Sequence, residues 1–317
     1  MAITLNANKF VGTLSNLICY TFYKDNYHLG DNIDALLEAF RSDDTVNGDG
    51  KLVLTSDLPV VKDLVVNTST LLTSVLPVIQ EQYIPVTKFK YIQLTVNRYL
   101  MRGGFEDEYA MANLISYLLN NMRIAKRLQL KSDIETVITE ILTNNPTTQT
   151  VAGLTKPTTN PTAVELNAVR TYNTNLIYRT LLSVIQKLGL GYELNVTDKT
   201  SDNDTFDAYE RPDNIVCLIS PSTIASMDVD TLATLLNSNK ITQKINVNFI
   251  ENETIDDGKV LLLSKDKIQY GYFYQVATSF FDASNLNQQD FLHFSYYCDQ
   301  IERAPAVLIE CTNFHVE

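Results

Sequence analysis

Apolar Ile92, Leu94 and Val96 alternate with polar Gln93, Thr95 and Asn97, and past Gly103 and Gly104 the period changes. There Met111, Leu114, Ile115, Leu118, Met122 and Ala125 recur at helical spacing, continued by Ile134, Val137, Ile138 and Ile141. A period of two marks a half-buried strand and a period of 3.6 an amphipathic helix. Residues 52–101 therefore read as an extended ribbon, dense in β-branched residues and punctuated by Pro59, Pro77 and Pro85. Two strands alone are marginal in water, so a ribbon with one polar face is expected to lie against something outside its own core. A neighbouring subunit is the simplest candidate.

Glu106, Asp107 and Glu108 suit the first turn of the helix that follows, where the helix dipole favours acids. An unbroken helix over 107–142 would be a strut about 50 Å long. Ser132 followed by Glu135 also matches a capping box, which would break the stripe near Lys131. Both readings stand at this point.

Upstream, "DNIDALLEAF" predicts a short helix with Asp31 as cap and Ile33, Leu36, Leu37 and Phe40 on one face. Downstream, "TNNPTTQTVAGLTKPTTNPT" reads as a loop. A second amphipathic helix carries Val164, Leu166, Val169, Leu176, Ile177, Leu181, Leu182, Ile185 and Leu188, with Gly189 and Gly191 as its stop. Then come a buried-type strand, "IVCLIS", a turn or helix start at Pro221, and strands in "INVNFI", "KVLLLSKDKIQYGYFYQVATSFF" and "QDFLHFSYYCDQIERAPAVLIEC".

Composition narrows the function. The chain has 317 residues, 45% of them hydrophobic, enough for a sizeable core, and a net charge of -12. Free-standing nucleic-acid binding would need a basic stripe, which this balance argues against. Cys19, Cys217, Cys298 and Cys311 are far apart and form no CxxC pair, so they read as small buried hydrophobes in a reducing compartment. No run of eighteen apolar residues and no leader pattern is visible, and the chain reads as cytosolic.

Catalytic signals are thin. His28, His293 and His315 stand apart from one another and from any HExxH pattern, and His293 in an alternating strand reads as structural. "DDTVNGDGK" resembles a calcium loop through Asp43, Thr45, Asn47 and Gly48, but position twelve is Leu54 rather than Glu. "GLGYE" at 189–193 ends a helix where a dinucleotide fingerprint would begin one. The acidic loop over 198–207 reads as a solvated surface loop. Neither a phosphate loop nor a GxSxG elbow occurs.

In order, the elements are a loose arm, a polar ribbon, a strut helix, a Pro/Thr loop, a second helix, a strand-turn-helix and a run of long strands. In this arrangement the chain resembles the major capsid proteins of tailed bacteriophages, which share the Hong Kong ninety-seven-type shell fold, in particular those of small short-tailed phages. The junction "NRYLMRGGFEDEYAMANLISYLLNNM" carries the resemblance, with "LISPSTIASMDVDTLATLL", "GKVLLLSKDKIQYGY" and "QDFLHFSYYCDQIERAPAVLIE" in the family's order. In that family a strand ending in an "NP" or "SP" turn is followed by a short helix, a further strand and an aspartate-containing loop.

The resemblance implies an α+β fold. It places an N-terminal arm at 1–45, an extended β-hairpin loop at 46–105, a peripheral domain with a long spine helix at 106–150 and 265–317, and an axial domain at 151–264. The implied function is structural: a head protein assembling as pentamers and hexamers into an icosahedral shell around a double-stranded DNA genome. Implied partners are a scaffolding protein, a portal, decoration proteins and DNA held without sequence specificity, with no membrane. Assembly would take place in the host cytoplasm and the product would reside in the virion. No catalytic, cofactor or metal residue is expected. Some family members cross-link Lys to Asn; Lys88 and Lys90 lie on the ribbon, but no motif places a partner for them. Gly103 and Gly104 are the expected hinge between extended loop and spine helix. Two other readings stand beside this one: a cellular nanocompartment shell of the same fold, and a two-domain enzyme binding a metal near Asp204.

Overall fold

The computed structural model describes residues 32–42, 49–56, 79–97, 108–144, 146–155, 161–190, 195–197, 205–207, 210–226, 248–285 and 287–314. Gly103, Gly104, Asp31, His28 and His315 lie outside them, as do residues 43–48 of the calcium-like loop and 198–204 of the acidic loop. The chain divides into two compact units. The first comprises Met1–Asn47, Val86–Glu140 and Ile268–Asp299; the second comprises Gly48–Pro85, Ile141–Lys267 and Gln300–Glu317.

In the first unit, helix α1 spans Asn32–Ala39 and buries Leu36 and Leu37, with Phe40 just beyond it; Ile33 is only half-buried. The strut is one continuous helix, α2, over Glu108–Thr143. Ser132 and Glu135 serve inside it: their carbonyls accept from the Thr136 and Thr139 hydroxyls, and Glu135 pairs with Lys131 at 3.3 Å. Of the two readings the sequence leaves open, the continuous one holds, because Leu130, Ile134, Val137 and Ile138 are all buried on one helical face.

That face departs from the apolar pattern at two positions: Lys126 is buried where Ala125 is exposed, and Asp133 is buried beside Ile134. The Lys126 ammonium lies 3.9 Å from the Tyr272 ring centroid, where the ring's negative face offsets lost hydration.

Strand β3 (Lys88–Asn97) pairs antiparallel with a strand spanning Asn287–Gln300, which also neighbours one spanning Ile268–Asp282. The strand with the clearest alternation thus finds its partner within the chain. Its side-chain sorting follows the pattern, with Ile92 and Leu94 half-buried and Gln93 and Thr95 exposed.

The second unit is built on a five-stranded mixed sheet. With β1 (Gly50–Ser56) and β2 (Ile79–Pro85) set apart, its strands are β4 (Thr147–Ala152), β7 (Ile215–Ile219), β8 (Asn248–Glu251), β9 (Lys259–Ser264) and β12 (Ala306–Thr312). The order is β4-β12-β9-β7-β8. β5 (Asn195–Thr197) and β6 (Thr205–Asp207) form a small antiparallel pair, and the two long strands of the first unit are β10 (Ile268–Asp282) and β11 (Asn287–Gln300).

Every residue of β7 is buried, as a continuous apolar run requires. Its odd positions Ile215, Cys217 and Ile219 meet Ile177, Leu181, Val184, Ile185 and Leu188 of helix α3 (Ala163–Leu190). Each such side chain contributes about 1.5–3 kcal/mol on burial. At the start of α3, the Glu165 N–H donates to Thr162 Oγ1 at 3.4 Å and the Thr162 N–H to Glu165 Oε2 at 2.8 Å. The Thr162 N–H, together with the Thr162 hydroxyl donating to the same Oε2 at 2.9 Å, holds the Glu165 carboxyl below its ordinary range.

β12 lies between β4 and β9, and residues 300–317 fall in the second unit. The 46–105 segment divides after Pro85, with β1 and β2 in one unit and β3 in the other.

Candidate assembly surface

β1 and β2 pair from Gly50↔Pro85 to Ser56↔Ile79 and, among the described residues, extend no other sheet. Residues opposite one another share a face, so Leu52 and Tyr83 stand together, with Leu54 and Ile79 further along. All four are exposed, Leu54 at 59% and Tyr83 at 57%. The other face is anchored by Ile84, 1% exposed. At the root, Gly50 admits the Tyr83 ring, since a Cβ there would lie 2.7 Å from it. The result is a ribbon whose free face presents four exposed apolar side chains, with Glu81 opposite Leu54 and Ser56 opposite Ile79 as its polar members, more apolar surface than solvent alone favours.

A second apolar face lies on the sheet of the first unit. Phe89 and Tyr91 of β3 are 73% and 63% exposed, and opposite them on β11 stand Ser295 and His293. Tyr91 lies 6.1 Å from Phe291 between ring centroids, and Phe291 stacks on His293 at 5.9 Å. His293 is thus one ring of an aromatic cluster. A third stripe runs along α2, where Tyr117, Ile124 and Leu128 are exposed at seven- and four-residue spacing.

Beneath the second face a polar group fixes α2 to its sheet. Asp133 accepts from the Tyr296 hydroxyl and, at 3.3 Å, from the Gln129 amide, and its other oxygen pairs with Lys88 Nζ at 3.5 Å. Burial, reinforced by Asp133, pushes the Tyr296 hydroxyl above the usual phenol range and the Cys298 thiol up to about 12. Lys88 therefore engages a carboxylate of its own chain, while Lys90 is exposed. Arg127 pairs with the buried Asp34, joining α2 to α1.

In the second unit, Pro221 opens the short helix α4 (Pro221–Ser226). Asp257 accepts from the Ser220 hydroxyl at 2.6 Å and also from Ser222, tying the strand-turn-helix to the following loop. Gly258 next to it has φ 74° and donates its N–H to Thr223 Oγ1 at 3.0 Å. Among the described residues no group of three or more His, Cys, Asp or Glu can hold a metal ion. Cys217, Cys298 and Cys311 are free and buried.

The outward Leu52, Leu54, Ile79 and Tyr83 were not singled out by the sequence. Alternation identifies two faces of a strand but not which one meets the core, and a one-residue shift exchanges them.

A family model described as "Phi29-like phage major capsid protein" matches residues 54–310, well over half of the chain. No curated protein matches it in sequence. Among solved structures, the capsid of Staphylococcus phage Andhra is similar at 9% identity and a TM-score of 0.59, over 86% of this chain and 83% of that one. The capsid of cyanophage P-SCSP1u is similar at 9% identity and a TM-score of 0.52, over 84% and 85%. The mature capsid of bacteriophage PhiM1 is similar at 9% identity and a TM-score of 0.52, over 92% and 90%. At such identities the structural likeness speaks for the fold.

Proposed function

The chain belongs to the Phi29-like phage major capsid protein family, and from that premise we propose how its parts serve a shell. It is a structural, non-enzymatic protein that self-associates into the capsid of a phage virion. The observation that carries this reading is the family match over residues 54–310.

In the finer reading, the first unit is the peripheral domain with α2 as its spine, the second is the axial domain, and β1 and β2 belong to the extended loop. The subunits form pentamers and hexamers in the host cytoplasm, with a scaffolding protein, a portal and decoration proteins as partners. Gly103 and Gly104, outside the described residues, act as the hinge between loop and spine. The apolar free face of the ribbon supports a contact with another copy, because symmetric assembly supplies identical partners. The net charge of -12 supports a lining that holds DNA without sequence specificity, since a strongly basic one would grip the genome. The family description favours a phage head over a cellular nanocompartment.

Electron microscopy of the purified protein, or of lysate, tests this. Closed shells with rings of five and six are expected, and a stable monomer under every assembly condition would overturn the reading. Leu54→Glu, a change confined to the exposed face, is expected to leave the subunit folded and to abolish shells.

A further inference from the structure

Gln82 lies on the inward face of β2, two residues from buried Ile84 and opposite Val53. Its Nε2 donates to the Gln300 carbonyl at 2.8 Å, and its Oε1 accepts from the Glu302 N–H at 3.0 Å. The partners settle the amide's orientation, since the reverse would oppose donor to donor and acceptor to acceptor. One side chain thus makes the two-bond exchange that a neighbouring strand would make, although among the described residues the ribbon pairs with no further strand.

The turn that receives these bonds is itself held. Lys267, 7% exposed, donates from Nζ to the Ile301 carbonyl at 2.8 Å and the Glu302 carbonyl at 3.0 Å. The Ile301 N–H returns a bond to the Lys267 carbonyl at 2.7 Å. Charge-assisted bonds to partly desolvated carbonyls are among the stronger ones available. Gln82 therefore ties the ribbon to a stiff support. Packing at Ile84 is non-directional and would hold the root while letting the ribbon swing; two bonds from a planar amide remove that freedom.

We propose that Gln82 is the positioning residue of the ribbon, fixing the angle at which Leu52, Leu54, Ile79 and Tyr83 are presented to the next copy. The inference rests on the reading of the chain as a shell subunit.

The test uses the full chain in a Cys19→Ser background, the three described cysteines being buried. Spin labels at Leu54→Cys and Ser183→Cys, on the exposed side of α3, report the ribbon's distance distribution within one subunit. Gln82→Leu keeps volume and loses both bonds. Gln82→Glu keeps the acceptor for Glu302 but sets a carboxylate against the Gln300 carbonyl. Expected are a narrow distribution for the parent, a broad one for Gln82→Leu and an intermediate one for Gln82→Glu, with circular dichroism unchanged. Without labels, the yield of regular shells should fall in the same order. If Gln82→Leu leaves the distribution narrow, or broadens it while shells stay regular, the proposal is overturned. Should Gln82→Leu not fold, the same outcomes are read from Gln82→Glu. A parent that forms no shells would instead sink the shell reading, independently of what the spin labels report.

Discussion

Asp133 sits on the core-facing side of a helix, where an aliphatic side chain would carry no desolvation cost. Its value depends on its partners, because Tyr296 is fully buried and gives its hydroxyl to this carboxylate. Asp133→Ala orphans that hydroxyl and is expected to cost about 2–3 kcal/mol, whereas Asp133→Asn keeps an acceptor and costs about 1 kcal/mol. Lys88→Met should cost less than about 1 kcal/mol, since the lysine is 35% exposed and its pair is screened. Urea denaturation of the unassembled subunit measures all three; a larger loss for Lys88→Met than for Asp133→Ala would make the ion pair the principal term. At this scale the sequence is least legible. Hydropathy assigned Ala125 to the core, yet Lys126 lies there, its stem apolar and its charge held over the Tyr272 ring.

Elements were more legible than residues, for reasons that differ between them. The spine helix follows from its 3.6 period, and its continuity was ambiguous because Ser132 and Glu135 suit either a cap or a helix interior. Packing of Leu130 and Ile134 decides it, and packing is not a local property. α3 was legible through Ile177, Leu181, Ile185 and Leu188, and ends at Leu190, between Gly189 and Gly191, the pair expected to stop it. The ribbon was legible as extended chain, but the pairing of β3 with β11 spans nearly two hundred residues, beyond any periodicity argument. The junction between ribbon and spine carries a prediction of its own. Val tolerates far fewer backbone conformations than Gly, so a Gly103→Val, Gly104→Val variant should keep the helical circular-dichroism signal and lose regular shells in micrographs. Normal shells from it would remove the hinge assignment.

At the scale of the whole molecule two opposing terms govern association. Apolar faces at Leu54, Tyr83, Phe89 and Tyr91 favour contact, while a net charge of -12 on every copy opposes it. Neither term was balanced against the other in the sequence, where charge was legible and the direction of each apolar face was not. Their ranges differ: apolar contact acts at the surface, whereas repulsion between copies reaches about 30 Å at 0.01 M salt and about 8 Å at 0.15 M. Raising salt across that interval should therefore speed shell formation, followed by light scattering at fixed protein and partner concentrations. Sulfate should exceed chloride at equal ionic strength, because it also strengthens apolar burial. Assembly that slows with salt would mean that attraction between opposite local charges outweighs net repulsion. Leu54→Glu then separates the two terms, since salt can relieve repulsion but cannot restore an apolar contact that the substitution has removed.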